Sequence, residues 1–193
     1  MNTQPSFIQW LPVALMVGVT AGASIFITSF LSQVSGLGFM GAVWAVFISW
    51  ALWFAMGARY DRLAKGVLST VGGVIFGYLT LLVNTNVFTP LLGDMAGTWA
   101  LPLTVFLVAT SIVLLELTNL FEVGFAYFFG FAAYFAYMFG FSGDTTQLMG
   151  VVHVAILMLV GFGFGMLTSF LKDKILDVEQ VPLYLRKTIF DKE

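Results

Sequence analysis

The side chains that could take part in chemistry are few, and most of them lie within long apolar segments. His153 is the only histidine of the chain. An imidazole can gain or lose a proton near neutral pH, so inside a bilayer it is a candidate for lining a solute path. The alternative is a neutral ring that is hydrogen-bonded to a neighbouring helix. The sequence alone leaves both interpretations open.

Glu116 is a second candidate because its position is electrostatically unfavourable. It lies at the predicted carboxyl end of a helix, where the helix dipole disfavours a negative charge. It must therefore reach water, form an ion pair with Arg59, Arg62 or Lys65, or line the mouth of a path. At a mouth it would favour cations or amide donors over anions.

Two segments share an arrangement of glycine, phenylalanine and threonine. The first reads GVIFGYLT over residues 73–80, and the second reads GFGFGMLT over residues 161–168. Glycines four residues apart form a face that lets two membrane helices approach closely. We expect such packing faces at Gly73 and Gly77, at Gly161 and Gly165, and at Gly18 and Gly22. A close crossing of the two segments would also line a narrow conduit.

The same two segments supply side chains for that conduit. Phe76 and Phe164 would narrow it, while Thr80 and Thr168 would offer hydroxyl groups to a solute. Aromatic residues at 44, 50, 53, 127, 134 and 137 either pack in the core or form an aromatic constriction. With His153 and Glu116, the two phenylalanines and two threonines make up the predicted path.

The sequence favours neither catalysis nor cofactor binding. The chain has no cysteine and a single histidine, so thiolate sites and all-histidine metal sites are excluded within one copy. It contains no phosphate-binding glycine loop followed by lysine, no nucleophile elbow and no HExxH pattern. We therefore predict no enzyme activity, no cofactor and no metal.

The composition decides the class of protein. Apolar residues make up 60% of the 193 residues and charged residues only 9%, whereas a soluble domain is about 25% charged. So few charges cannot cover a water-facing surface, and a soluble globule is excluded. A net charge of −2 offers no basic patch for nucleic acid. The chain is predicted to be an integral protein of the lipid bilayer.

A membrane helix needs about 20 mainly apolar residues, and charges and turn-forming residues divide this sequence into six such spans. Capping-box patterns over residues 119–122 and 144–147 mark the starts of the fifth and sixth spans. Residues 84–98 form a connector, either a surface loop or a short re-entrant segment. The predicted spans are about 10–31, 37–56, 66–83, 99–117, 120–140 and 148–171. The fold class is thus an all-α transmembrane domain, residues 1–171, with a tail, residues 172–193.

The basic residues indicate the orientation. Three lie at 57–65 and five at 172–193, and together these are all eight Lys and Arg residues. Six crossings put both segments on one side, and basic residues concentrate on the cytoplasmic side. We predict that both termini are cytoplasmic. The tail is either an amphipathic segment on the bilayer surface or on a partner, or a solvated tail whose first turns are helical.

The two halves of the chain, about 10–84 and 99–171, are similar to each other. The first and fourth spans begin WLP and WALP, at residues 10–12 and 99–102. The aromatic pairs and the glycine segments recur at offsets of 84 and 88 residues. With six spans the halves run in opposite directions. A 3+3 inverted repeat of this kind is typical of channels and transporters, in which the path lies between the halves.

The six-span plan, the aromatic-rich second span ending at Gly57 and the face of Gly73 and Gly77 are similar to a known family. They resemble small bacterial inner-membrane proteins catalogued as the domain of unknown function 1097 (DUF1097) family. The resemblance covers most of residues 10–171. It implies a bacterial inner membrane and no substrate. The Asn-Pro-Ala motif of aquaporins and the Asn-Pro motif of urea transporters do not occur.

Two functional hypotheses follow. The first is a passive channel or facilitator for a small polar solute, with urea, amides and ammonia-like species as the leading class. Among the acidic and basic residues only His153 lies clearly within a span, so a strongly ion-coupled pump is disfavoured. The second is a non-catalytic accessory or scaffold subunit that binds a larger membrane complex. Homo-oligomerisation is expected in either case.

Overall fold

Apolar helices make up nearly all of the chain that the structure describes. The structure is a computed structural model that describes residues 7–35, 42–115, 117–119, 123–140 and 145–176. Within these residues there is no β-strand. The helices are α1 (Phe7–Ser35), α2 (Trp44–Ala55), α3 (Leu63–Val83), α4 (Thr89–Leu92), α5 (Ala96–Leu115), α6 (Gly124–Gly140) and α7 (Gln147–Leu176).

Three helical stretches are long and apolar enough to cross a membrane. They are Trp10–Ser35, Tyr60–Leu115 and Gln147–Ile175. The middle stretch contains both α3 and α5, whereas Trp44–Ala55 and Gly124–Gly140 are apolar but shorter. Large apolar side chains are exposed on α1 and α5, such as Phe26 at 73% and Phe106 at 65%. Lipid can cover such surfaces and water cannot, so the fold is that of a membrane-embedded protein.

Some boundaries differ from those predicted. The first helix continues to Ser35, one turn beyond the predicted break, and α7 continues to Leu176. The tail therefore begins as helix, and residues 177–193 lie outside the described part. The second helix begins only at Trp44 and has 12 residues, while residues 37–41 of its predicted span are not described.

The connector between α3 and α5 is helical, so the predicted surface loop over residues 84–98 is wrong. Asn84–Phe88 forms a π-helical turn, α4 follows, and Gly93–Met95 forms a 3-10 turn. Gly93 has a φ of +51°, a conformation that glycine adopts without strain. The chain reverses at Gly93, and the π-helical turn packs against α5.

Specific hydrogen bonds end α2 and begin α7. The N–H of Gly57 donates to the carbonyl of Phe54 and that of Ala58 to the carbonyl of Trp53, at 2.9 and 3.0 Å. With Gly57 at a φ of +83°, this is a Schellman motif. At the start of α7, the Thr146 hydroxyl accepts from the Met149 N–H at 3.3 Å. Thr146 thus caps the helix within the predicted 144–147 pattern, while Asp144 lies outside the described residues.

Side-chain contacts show that several helix termini meet at one end of the bundle. The Trp53 indole N–H, near the end of α2, donates to Ser169 Oγ near the end of α7 at 2.8 Å. The Lys172 ammonium lies 5.4 Å from the ring centroid of Trp10, at the start of α1. Val123, just before α6, packs in one cluster with Met56, just after α2. We call this the basic end, because it carries residues 57–65 together with Lys172 and Lys174.

The four glycines of the two repeated segments lie at two close helix interfaces. A Cβ atom at Gly73 on α3 would collide with the backbone carbonyl of Tyr127 on α6. A Cβ atom at Gly161 on α7 would collide with the carbonyl of Val46 and the hydroxyl of Ser49 on α2. These α3–α6 and α2–α7 interfaces therefore depend on the absence of a side chain.

One helical turn further along each helix, glycine meets an aromatic ring. A Cβ atom at Gly77 would lie 2.7 Å from Cδ1 of Tyr134, and one at Gly165 would lie 2.8 Å from Cγ of Trp53. Both rings are fully buried. Each glycine pair therefore holds one helix against a neighbour at two successive turns.

Substituting Gly161 by alanine tests this account. We expect G161A to lower the free energy of unfolding by about 1–3 kcal/mol, as overpacking in a core does. Gly163 on the same helix has nothing within 4 Å of its Cβ position, so G163A serves as the matched control. Unfolding in mixed detergent micelles, followed by circular dichroism, measures both. Equal losses in the two variants would contradict the close-contact account.

Candidate functional site

Four of the predicted path residues lie on α3 and α7, at positions that correspond in the two repeated segments. The Thr80 hydroxyl donates to the carbonyl of Phe76 at 2.7 Å, and the Thr168 hydroxyl donates to the carbonyl of Phe164 at 2.8 Å. Both threonines are buried. Since each hydroxyl proton already has a backbone acceptor, what each threonine can offer a solute is a lone pair of its oxygen.

The two phenylalanines lie in different interfaces. The ring of Phe76 contacts Tyr127 of α6, with centroids 6.0 Å apart and an edge-on geometry. The ring of Phe164 contacts Trp50 of α2, with centroids 5.7 Å apart. Phe76 thus belongs to the α3–α6 interface and Phe164 to the α2–α7 interface.

His153 lies in the core between α6 and α7. Its Nδ1 atom is 2.6 Å from the hydroxyl oxygen of Tyr137, and the two rings meet nearly at right angles. Both side chains are buried, at 3% and 1% exposure. Either the phenol donates to Nδ1, or a protonated Nδ1 donates to the phenol oxygen. A ring hydrogen-bonded to a neighbouring helix is the second of the two interpretations that the sequence leaves open.

Two further polar contacts join different helices. The Tyr134 hydroxyl donates to the carbonyl of Gln147, at the first residue of α7, at 2.9 Å. The indole of Trp53 bonds Ser169 across 116 positions of sequence. The aromatic pattern indicates these residue types, but nothing in it indicates their partners. All four positions at 50, 53, 134 and 137 are buried in the core.

The centre of the bundle is apolar. One cluster of buried residues draws on α2, α3, α6 and α7, with Val46, Val74, Ala133 and Leu157 as a member from each. Val74 and Leu157 are fully buried where α3 and α7 pack together. Side chains therefore fill the region in which the sequence predicts a conduit.

The basic end carries an internal ion pair. The Arg59 guanidinium contacts the Asp61 carboxylate through two hydrogen bonds, of 2.7 and 3.1 Å. The hydrogen bond from Arg59 lowers the pKa of Asp61. Among the described residues, no group of three His, Cys, Asp or Glu side chains is placed to hold a metal ion. Glu116 lies outside the described residues.

The sequence matches a known family over most of its length. A family model described as "Protein of unknown function (DUF1097)" matches residues 14–172. This range reaches from α1 into the last turns of α7 and includes all the predicted path and packing residues. No curated protein and no solved structure matches the chain.

The hydrogen bond between Tyr137 and His153 can be tested by removing one oxygen atom. We expect Tyr137→Phe to lower the free energy of unfolding by about 1–3 kcal/mol, because a buried polar atom of His153 loses its partner. It should also change the 15N chemical shifts of the imidazole. Tyr60→Phe is the control, since Tyr60 is 45% exposed. Unchanged stability and unchanged imidazole shifts in Y137F would contradict the contact.

Proposed function

Since the chain belongs to the DUF1097 family, whose description assigns no activity, we propose a function from the geometry. The proposal is a passive six-span facilitator of the bacterial inner membrane that conducts a small polar solute without catalysis or a cofactor. Urea, amides and ammonia-like species are the leading solute class. The residues assigned to its path are Phe76, Thr80, Glu116, His153, Phe164 and Thr168.

The observation that carries the proposal is a recurring pair of helix contacts. Gly73 meets Tyr127 in one interface and Gly161 meets Val46 in the other. The glycines are 88 residues apart, while Val46 and Tyr127 are 81 apart. The contacts of Gly77 with Tyr134 and of Gly165 with Trp53 have the same two separations. Because both pairs of contacts relate the two halves by the same residue separations, they support an internal repeat.

The separation of 81 residues given by the glycine contacts is three residues shorter than the 84 that the aromatic pattern suggests. At a separation of 81, Trp53 corresponds to Tyr134 and not to Tyr137. Because three residues are nearly one helical turn, both alignments put aromatic residues on the same side of the helix. The contacts with glycine favour the shorter separation.

The proposed halves run in opposite directions relative to the basic end. The first half begins at the basic end with α1. The second half begins at the opposite end, and its first helix, α5, runs back to the basic end, where α6 begins. An inverted repeat leaves a path at the interface of its halves. Basic residues favour the cytoplasm, so we assign the basic end and both termini to that side.

Selection in such a path rests on its width and on a few polar atoms. The apolar cluster around Val74 and Leu157 fills the centre, so this conformation is the closed one. Conduction then requires α3 and α7 to separate. The near absence of charged side chains within the spans favours passive conduction over ion coupling.

A specific observation favours a second candidate, an accessory or scaffold subunit. The same apolar centre is what a non-conducting bundle would have, and α1 and α5 expose broad apolar surfaces. Such surfaces suit contact with another membrane protein or with further copies of this chain. A homo-oligomer is compatible with both candidates.

Stopped-flow light scattering of proteoliposomes tests the first candidate. Gradients of urea, acetamide, glycerol and ammonium are applied to vesicles with the purified protein and to protein-free vesicles. We expect faster relaxation for at least one of these solutes. Enlarging the ring in Phe164→Trp or Phe76→Trp should return the rate to that of protein-free vesicles, because the larger ring obstructs the path.

The matched control is Phe106→Trp, which adds the same bulk at a side chain 65% exposed on α5. It should conduct as the unmodified protein does. If folded protein accelerates none of the solutes, the facilitator is wrong and the accessory subunit is favoured. Purification of the protein only together with a second membrane protein would add to that conclusion.

A further inference from the structure

A groove opens on the side of the bundle between α1, the end of α2 and the end of α7. Its volume is about 430 Å³, within the range of about 300–1,000 Å³ typical of ligand sites. It is lined by Trp10, Val13, Ala14, Val17, Phe54, Thr168 and Lys172. All but two of these side chains are apolar, and the hydroxyl of Thr168 already donates to the carbonyl of Phe164.

The charge in this groove lies at one end of it. Lys172 lies near Trp10, with its ammonium 5.4 Å from the centroid of the indole ring. Val17 lies about 10 Å further along α1, at 1.5 Å per residue. The groove therefore has a cationic and aromatic end at the basic end of the bundle and an apolar wall that runs from there along α1.

Tryptophan and lysine at one depth are typical of the membrane–water interface. Several wall residues are open to the surroundings, with Trp10 at 40%, Val17 at 38% and Phe54 at 41% exposure. In a membrane these surroundings are acyl chains, and lipid phosphates lie at the depth of Lys172. Basic pockets between membrane helices bind anionic lipid headgroups on the cytoplasmic side.

We propose that this groove is a binding site for one anionic phospholipid. An acyl chain lies against Val13, Ala14, Val17 and Phe54, and the phosphate accepts a hydrogen bond from the Lys172 ammonium. The site rests on the membrane orientation assigned under the proposed function, with the basic end at the cytoplasmic side. It does not depend on whether the chain conducts a solute.

Charge complementarity favours a lipid over a second copy of the chain. Copies inserted in one membrane share their orientation, so another copy would present its own basic end at the depth of Lys172. Anionic lipid headgroups supply the opposite charge at that depth. A lipid also matches both parts of the groove with one molecule, a charged group followed by an apolar chain.

Native mass spectrometry tests the site. The intact protein in detergent is equilibrated with equal amounts of phosphatidylglycerol and phosphatidylcholine that carry the same acyl chains. We expect the protein to retain phosphatidylglycerol preferentially. Lys172→Gln should lower the ratio of retained phosphatidylglycerol to phosphatidylcholine by about fivefold, the contribution of one basic side chain at a lipid surface.

Two matched controls make the test specific. Lys174→Gln removes an equal charge from the same helix, but Lys174 lies over the ring of Phe170 and does not line the groove. It should keep the preference. Ala14→Phe should fill the groove and abolish retention of both lipids. Leu15→Phe adds bulk at a neighbouring side chain that is 61% exposed and outside the groove, and it should retain lipid normally.

Three results would overturn the proposal. The first is equal retention of the two lipids by the unmodified protein. The second is an equal effect of K172Q and K174Q, which would indicate diffuse attraction to a basic surface. The third is folded A14F that retains lipid normally. If A14F also converts an oligomer into a monomer on size-exclusion chromatography with light scattering, the groove is an interface between copies.

Discussion

The fold depends on glycine positions at which one helix comes into close contact with another. In lipid no hydrophobic effect drives helices together, so association relies on close packing and on polar contacts. Gly73 and Gly161 bring the backbones of two helix pairs into direct contact. A methyl group at either position would push the helices apart. These glycine contacts set the spacing between the helices, and the buried hydrogen bonds between helices form at that spacing.

Some of the buried polar side chains in the core bond a partner on another helix. His153 bonds Tyr137 between α6 and α7, and Trp53 bonds Ser169 between α2 and α7. An unpaired polar group in a membrane interior is costly. Such contacts therefore fix which side of each helix faces its neighbour, while the glycines fix the distance. Apolar side chains fill the remaining space between α3 and α7.

Hydropathy and turn chemistry predict which segments are helical, but not where every helix begins and ends. The glycine pattern predicts the close packing faces of α3 and α7, whereas Gly18 and Gly22 of α1 have nothing within 4 Å of their Cβ positions. The sequence alone does not fix the alignment of the two proposed halves, because an aromatic residue at every third or fourth position fits two alignments one helical turn apart. The partner of His153 could not be predicted, since Tyr137 lies on a different helix beyond a connection. The connector at 84–98 contains Asn, Pro and Gly, yet it stays helical because Pro90 falls in the first turn of α4, where no hydrogen bond is lost.

The glycine contacts also determine which parts of the molecule can move. Each joins a helix of one proposed half to a helix of the other, α3 with α6 and α2 with α7. A backbone contact has no rotamer through which it could yield, so each of these mixed pairs behaves as one rigid body. The boundary between the two bodies is lined by apolar side chains such as Val74 and Leu157, and it is crossed by the hydrogen bonds from α6 to α7 that Tyr137 makes with His153 and Tyr134 with the carbonyl of Gln147. The units that would rock against one another are therefore not the two proposed halves but two helix pairs, each of which combines one helix from each proposed half.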